Sequence, residues 1–198
     1  MMSAANEQSY DKIADLFNLS RRDTKVPELV EGFCQYLKAG DLVLDVGCGG
    51  GAPITAYLYE KRLQITGIDI SENLLQQAKR LVPKGEFIKG DIMDFQTDRV
   101  FSGIVAWDSL FHLQIHEHEA VFRKFVDLLK QGGYLLFTHG GSEGEITGEM
   151  YGQSFSYSSL GPDKTRKIVE RLGLDILIWE IDDSGPHGYM KALCKKVA

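Results

Sequence analysis

Apolar positions along the chain alternate between short, nearly continuous runs and longer stretches in which they recur every three or four residues. The short runs predict strands and the longer stretches predict amphipathic helices. Because strands and helices alternate, the 198 residues indicate one α/β domain. The predicted strands are Leu42–Val46, Leu63–Ile70, Glu86–Lys89, Phe101–Ala106, Tyr134–Thr138, Leu174–Ile181 and Tyr189–Lys195. The predicted helices lie within residues 3–39, with a polar break at Asn18–Asp23, and over Pro53–Arg62, Ser71–Leu81, His116–Lys130 and Pro162–Leu172.

Two segments depart from this alternation. Residues 139–160 begin glycine-rich and acidic and continue with serines and aromatic residues. A connection of this length is more often functional than filler, so we expect a loop that closes over the site as a lid. The last two strands flank the turn-rich segment Asp182–Gly188, which predicts an antiparallel pair at the edge of the sheet.

The first strand ends at a glycine-rich turn that predicts a nucleotide crevice. Gly47, Gly49 and Ala52 satisfy the pattern G-x-G-x-x-G/A, and Asp69 follows Gly47 by 22 residues, as a dinucleotide site requires. A nicotinamide-dependent oxidoreductase, using NAD(P), is therefore one interpretation. However, Asp45 lies two residues before the first glycine, where a carboxylate would repel a pyrophosphate. S-adenosylmethionine carries no phosphate, and a carboxylate favours its sulfonium and ammonium groups.

The motifs VLDVGCGGG, ITGIDIS and FIKGDIMDF, in this order, resemble those of the class I S-adenosylmethionine-dependent methyltransferases. The resemblance implies a Rossmann-like, doubly wound, seven-stranded sheet, mostly parallel, with an antiparallel C-terminal hairpin strand. It also implies transfer of a methyl group from S-adenosylmethionine to an acceptor. The single domain then divides into an N-terminal helical cap (1–40), a cofactor-binding core (41–139), the lid (140–160) and a helix with the C-terminal hairpin (161–198).

The candidate cofactor-binding residues follow from the glycine turn and from the resemblance. Asp69, at the end of the second strand, can accept two hydrogen bonds from a ribose diol. The resemblance places Ile70 beside the adenine and assigns Asp91 and Ile92 to the adenine amino group and ring. Tyr10 is either a cofactor contact from the cap or a core residue. The full set is Tyr10, Asp45, Gly47, Cys48, Gly49, Asp69, Ile70, Asp91, Ile92 and Trp107.

Methyl transfer needs a general base only when the acceptor keeps its proton at neutral pH. His112 and His139 follow the fourth and fifth strands, and His187 lies in the terminal hairpin joint. Each is a candidate base, because histidine titrates near neutral pH, and each could equally be an ordinary loop residue. The run His116–Glu119 is not H-E-x-x-H and fits an acidic first helical turn better, so no metal site is predicted.

The acceptor class is constrained by charge and by one missing motif. The net charge of −6 disfavours binding to the phosphate backbone of nucleic acids, because such binding needs a basic surface. After the fourth strand the chain reads Trp107-Asp108-Ser109-Leu110, not the Asn/Asp-Pro-Pro-aromatic motif of many enzymes that methylate amino groups of bases. We therefore expect a small-molecule acceptor, while protein and RNA acceptors stay open.

Location, oligomeric state and catalytic competence are less constrained. The sequence has no apolar run of about 18 residues, so we expect no membrane span. Its three cysteines form no C-x-x-C pair, which favours reduced thiols and a cytoplasmic location. Oligomeric state is left open. A non-catalytic module that binds the cofactor as a sensor or partner platform is a third interpretation.

Overall fold

Seven strands form one twisted sheet in the computed structural model, which describes residues 4–182 and 188–197. The strands are β1 (Leu42–Val46), β2 (Gln64–Asp69), β3 (Glu86–Lys89), β4 (Phe101–Ala106), β5 (Leu129–Gly140), β8 (Leu174–Asp182) and β9 (Tyr189–Lys196). A separate hairpin contains β6 (Glu143–Met150) and β7 (Gln153–Leu160). Their order is β3-β2-β1-β4-β5-β9-β8. The first five strands are parallel, and β9 is antiparallel to β5 and β8. The predicted doubly wound fold is confirmed.

Helices cover both faces of the sheet because successive residues of a strand point to opposite faces. In β1, Val43 packs into the cluster that contains Phe33, whereas Leu44 packs into the cluster that contains Phe122 and Phe125. All five of these side chains are fully buried. The helices are α1 (Ala4–Arg22), α2 (Glu28–Cys34), α3 (Ile54–Glu60), α4 (Glu72–Leu81), α5 (His118–Leu128) and α6 (Gly161–Arg171), with 3₁₀ turns at Leu110–His112 and Ile115–Glu117.

The largest difference from the sequence prediction is at residues 140–160, which we expected to be a loop. They form an antiparallel hairpin of β6 (Glu143–Met150) and β7 (Gln153–Leu160). Tyr151 and Gly152 join the strands with φ of 51° and 72°. Positive φ at both loop residues is the conformation that suits the twist of a tight hairpin. Serine and aromatic residues alternate in β7, and this period-two pattern is the sequence signal from which the strand could have been predicted.

Two boundaries also differ. Helix α1 continues to Arg22, through the polar segment at Asn18 that was predicted to be a break. Its last turn ends in Arg21 and Arg22, cations that stabilise the C-terminus of a helix. Strand β5 begins at Leu129, where the predicted helix was still running, because Leu129 pairs with Phe101 before a register shift.

Helix α1 lies across the carboxyl ends of the strands and is attached there by polar contacts. Asp11 accepts a hydrogen bond from the Ser71 hydroxyl at the start of α4 (2.5 Å). Ser9 donates to the backbone oxygen of Ser154 in β7 (3.0 Å). The predicted N-terminal cap is therefore anchored both to the sheet side and to the hairpin.

No helix among residues 4–182 and 188–197 is long and apolar enough to span a membrane.

Replacing Ser71 with alanine tests the junction of α1 and α4. The Ser71 hydroxyl accepts from the Leu74 N–H as the N-cap of α4 and donates to Asp11. Because Ser71→Ala removes both contacts, we expect the free energy of unfolding in urea to fall by about 1–2 kcal/mol. The matched control is Ser154→Ala, whose side chain is exposed and should change stability by less than about 0.5 kcal/mol. Equal stability of the two variants would contradict this role.

Candidate functional site

A cavity of about 90 Å³ opens at the carboxyl ends of the central strands, beneath α1. Ligands bind at this place in open α/β sheets because the strand order reverses there and the loops diverge. Nine of the ten candidate cofactor-binding residues lie in its wall: Tyr10, Asp45, Gly47, Cys48, Gly49, Asp69, Ile70, Ile92 and Trp107. Asp91 is the exception, although its neighbours Gly90 and Ile92 line the cavity. The Asp91 carboxylate instead accepts from the Met93 N–H (2.9 Å) within its own turn.

The glycine turn brings backbone against the cavity where side chains would not fit. Gly47 has a φ of 73°, and a Cβ added there would lie 2.4 Å from Cβ of Ser109. The N–H groups of Gly47 and Cys48 both donate to the carbonyl of Ile68 in β2. This pairing ties the turn to the neighbouring strand, so the turn is held close to the end of β2.

The Asp69 carboxylate connects three elements at the cavity wall. One oxygen accepts from the Gly49 N–H (2.8 Å) and the other from the Ser71 N–H (2.9 Å). Burial raises the pKa of Asp69 to about 6, against these hydrogen bonds, which lower it. The carboxylate is therefore positioned by the backbone on both sides and lies at the end of β2, as predicted.

Asp45 is a second buried acid in the same wall. Its carboxylate accepts from the Thr55 hydroxyl of α3 (2.6 Å), and burial raises its pKa to about 6. The Cys48 thiol is also buried, and burial raises its pKa well above the ordinary value. A thiol that resists ionisation is a poor nucleophile, so Cys48 acts as a small wall residue.

Of the three candidate bases, the structure places His112 in the cavity wall. Its Nδ1 lies 3.2 Å from the carbonyl oxygen of Ser156, and its Nε2 lies 2.7 Å from the Tyr10 hydroxyl. Nδ1 also lies 3.2 Å from Asn6 Nδ2, which is a donor. These contacts admit two neutral tautomers: Nδ1–H donating to Ser156 with Nε2 accepting from Tyr10, or Nδ1 accepting from Asn6 with Nε2–H donating to Tyr10. Burial lowers the pKa of His112 to about 4, which keeps the ring neutral near pH 7.

The other two candidates are not in this wall. His139 is fully buried and hydrogen-bonded to His118 and Ser159, so the prediction that it faces the site is wrong. The residue ends β5 at the expected edge, but its side chain points into the packing between β5 and α5. His187 lies outside the described residues.

Asp108, which follows the fourth strand and was expected to line the crevice, is the centre of a polar cluster whose other members the sequence did not predict. This residue follows β4 with a φ of 53° and lines the cavity. Its carboxylate accepts from Arg21 of α1 (3.3 Å) and from the Tyr189 hydroxyl of β9 (2.8 Å). Three elements that are distant in sequence meet here, so the cluster had no local signal beyond an acid at a strand end.

The hydroxyl of the neighbouring Ser109 indicates that the cavity binds a ligand. Among the side chains that the structure describes, its hydroxyl oxygen is the one buried polar atom without a hydrogen-bond partner. The residue is 4% exposed and lines the cavity. A buried hydroxyl without a partner is costly, and a bound ligand would supply one.

Over residues 4–182 and 188–197, no group of three or more His, Cys, Asp or Glu side chains is arranged so that it could hold a metal ion.

Replacing Gly47 with alanine tests the close approach of the turn. The added Cβ would clash with Ser109, and the alanine would have to adopt a left-handed backbone conformation. We therefore expect the free energy of unfolding in urea to fall by roughly 1–3 kcal/mol. Gly32→Ala is the matched control, because a Cβ at Gly32 of α2 would meet no atom within 4 Å. That variant should gain about 0.5–1 kcal/mol from helix propensity. A change of the same sign in both variants would contradict the prediction.

Comparison with known proteins supports the doubly wound α/β fold described above. The family described as "Methyltransferase domain" matches residues 43–133, from β1 into β5. Phosphoethanolamine N-methyltransferase 1 from Triticum aestivum is 35% identical over 109 residues, covering 52% of this chain and 21% of that protein. The chain thus spans about a fifth of that relative's length.

Two solved structures extend the likeness over nearly the whole chain. Magnesium protoporphyrin IX methyltransferase from Synechocystis PCC 6803, solved with bound S-adenosylmethionine, has a TM-score of 0.73 at 16% identity and covers 96% of this chain and 95% of its own. The cyclase SpnF has a TM-score of 0.74 at 19% identity and covers 98% and 96%. Residues 43–133 thus match the family described as "Methyltransferase domain", and the whole chain shares the fold of these two solved structures.

Proposed function

We propose that this protein transfers the methyl group of S-adenosylmethionine to a small-molecule acceptor. The observation that carries the proposal is the Asp69 carboxylate, fixed by the backbone N–H groups of Gly49 and Ser71 in the wall of the cavity. A fixed carboxylate beside a glycine turn can hold a ribose diol. The match of residues 43–133 to the family described as "Methyltransferase domain" supports the same conclusion.

The residues present fit this cofactor. Gly47 lets the turn approach Ser109 closely, and the buried Ser109 hydroxyl in the cavity wall has no hydrogen-bond partner within the part of the protein that the structure describes. Ile70 and Ile92 offer apolar surface for an adenine. Two acids in one wall, Asp45 and Asp69, favour a ligand with cationic groups over one with a pyrophosphate. For this reason we prefer S-adenosylmethionine to NAD(P).

When bound, the cofactor supplies an electrophilic methyl group on its sulfonium. The chain must then hold the acceptor in line with that methyl and remove water. Trp107, Asp108 and His112 line the cavity beyond the glycine turn, and Arg21 reaches it from α1. These side chains are the proposed acceptor contacts.

Tyr10 and His112 are the proposed proton path. The Tyr10 hydroxyl lies 2.7 Å from Nε2 of His112, and both residues line the cavity. In the Nδ1–H tautomer of His112, an acceptor O–H or N–H that donates to Tyr10 Oη would lose its proton to that oxygen while the proton of Tyr10 moves to Nε2. Burial lowers the pKa of His112 to about 4, so the ring is neutral but weakly basic near pH 7, and the bound acceptor must supply the favourable contacts for this step.

Ligand-induced stabilisation separates the proposed cofactor from its rival. A ligand that binds the folded state raises the melting temperature, so we expect S-adenosylmethionine and S-adenosylhomocysteine to raise it and NAD(P) to leave it unchanged. The measurement is a thermal melt with each ligand at matched concentration. Stabilisation by NAD(P) alone would favour an oxidoreductase.

Cofactor affinity should depend on pH through Asp69. Its pKa is raised to about 6 in the folded protein, and the ionised form accepts ribose hydroxyls best, so binding should weaken as the pH falls below about 6. We expect Asp69→Asn to lose about 1–3 kcal/mol of binding free energy at pH 7.5, measured by calorimetry. Its affinity should keep only the pH dependence contributed by Asp45, whose pKa is also about 6. Asp175→Asn, an exposed acid on β8, is the control and should retain the wild-type profile. A wild-type profile in Asp69→Asn would remove Asp69 from the site.

Catalysis is tested by incubating the protein with tritiated S-adenosylmethionine and cell fractions. We expect label in the small-molecule fraction rather than in protein or RNA. His112→Ala and Tyr10→Phe should each lower kcat by about 10²–10⁴-fold, because both break the proton path. His116→Ala is the control, since His116 is exposed.

The possible results separate the alternatives. Full activity in His112→Ala would place the base elsewhere. Tight cofactor binding without label in any fraction would favour a sensor or another chemistry on this fold, as in the structurally similar cyclase.

A further inference from the structure

A second histidine site lies outside the cavity, between α5, β5 and β7. His118 and His139 are fully buried, and Ser158 and Ser159 of β7 are each 6% exposed. His139 Nε2 lies 2.9 Å from His118 Nδ1. The outer ring nitrogens meet the serines: His118 Nε2 lies 2.8 Å from Ser158 Oγ, and His139 Nδ1 lies 2.8 Å from Ser159 Oγ. We call these four residues the histidine–serine network.

The network ends on two carbonyls, which only accept: Ser158 Oγ lies 2.5 Å from the Leu113 oxygen and Ser159 Oγ lies 3.0 Å from the Gly140 oxygen. The four protons of the network serve five contacts, so the longer of these two contacts is the one assigned no proton. Ser158 then donates to Leu113 and accepts from Nε2–H of His118, and His118 Nδ1 accepts from Nε2–H of His139. In this arrangement each ring has one tautomer.

At the His139 end, the network also contacts β7. In the same arrangement Nδ1 of His139 accepts the one proton of the Ser159 hydroxyl, which is then not donated to the Gly140 carbonyl; donation to Gly140 instead would reverse the tautomers of both rings. The Ser159 hydroxyl oxygen also accepts from the Gly161 N–H (2.9 Å) at the start of α6. Two adjacent residues of β7 are thus fixed to the end of β5 and to α5 by buried polar contacts.

The network reaches His112 from two sides. Leu113, whose carbonyl Ser158 holds, directly follows His112. Two residues before Ser158 in the same strand, the Ser156 carbonyl lies 3.2 Å from Nδ1 of His112. The Asn6 side chain of α1 donates to this carbonyl and accepts from the Ser156 N–H, so α1 also holds β7 at this point. The position of β7 along the 3₁₀ turn therefore decides which backbone group meets His112 Nδ1. A shift of one residue would replace the Ser156 carbonyl and turn Ser158 away from Leu113.

Hairpin β6–β7 needs such an anchor. A two-stranded hairpin is only marginally stable by itself, and most side chains of β6 are exposed. The aromatic side chains of β7, Phe155 and Tyr157, pack near His112, with ring centroids 6.1 and 5.0 Å away. Apolar contacts keep the hairpin attached to the rest of the protein, but they specify the register of β7 only weakly. Directional hydrogen bonds specify that register.

We propose that His118, His139, Ser158 and Ser159 form a positioning network that sets the register of β7 and thereby the tautomer and orientation of His112. These residues touch neither the cavity nor an acceptor, so they act through β7 and Leu113. The inference rests on the proposed function only in treating His112 as the base.

Ser158→Ala is the decisive variant, because it removes the link between His118 and Leu113. Nitrogen-15 NMR of the histidine rings should show His112 as the Nδ1–H tautomer, and His118 and His139 as Nε2–H, in the wild-type protein. In Ser158→Ala we expect a mixture of His112 tautomers and a kcat lower by about 10- to 100-fold, with S-adenosylmethionine affinity unchanged. Ser158→Thr keeps the hydroxyl and should restore both readouts.

The control in the same strand is Ser154→Ala, with an exposed side chain outside the network. Wild-type ring signals of His112 in Ser158→Ala, or equal changes in Ser154→Ala, would overturn the proposal. If Ser158→Ala does not fold, Ser159→Ala removes only the far end, and the same shift of His112 is expected. If the wild-type protein transfers no methyl group, the proposed function fails, yet the ring-nitrogen spectra still decide the positioning role.

Discussion

The site depends on one partly buried carboxylate that the backbone holds from two directions. Asp69 accepts from Gly49 in the glycine turn and from Ser71 at the start of α4. This side chain therefore joins the end of β2, the turn after β1 and the helix after β2. The Ser71 hydroxyl adds the N-terminal cap, because it donates to Asp11 of α1. Removing an acid from water is costly unless its oxygens are satisfied, so these elements must keep their relative positions.

The sequence predicted those site residues that lie in the chain directly at or beside the end of a predicted strand. The glycine turn follows its strand directly, and Asp69 ends the next strand, so short-range pattern places both at the same sheet edge. The parallel core was predictable for the same reason, because buried strands show nearly continuous apolar runs. Nine candidate cofactor-binding residues reach the cavity because each lies in or beside such a strand end, or in α1.

The failures have a different physical origin. His112 and His139 both follow or end a central strand, yet one faces the cavity and the other lies against α5. Their difference is decided by partners such as Tyr10 and His118, which are distant in sequence. The β6–β7 hairpin was missed because its signal competes with many glycines, and because its turn uses Tyr151-Gly152 instead of a common hairpin pair. Tertiary contacts, not local preference, select these conformations.

The edge of the hairpin has a consequence for how copies of this protein behave at high concentration. Among the described residues, β6 pairs only with β7, so its outer backbone groups offer a template for another strand. Glu143, Glu145 and Glu149 are exposed along β6 at alternate positions with Thr147 between them. Two such edges brought together would align like charges at short distance, which opposes growth of a continuous sheet between molecules. The acidic residues of this segment thus protect the protein against aggregation through its most exposed strand.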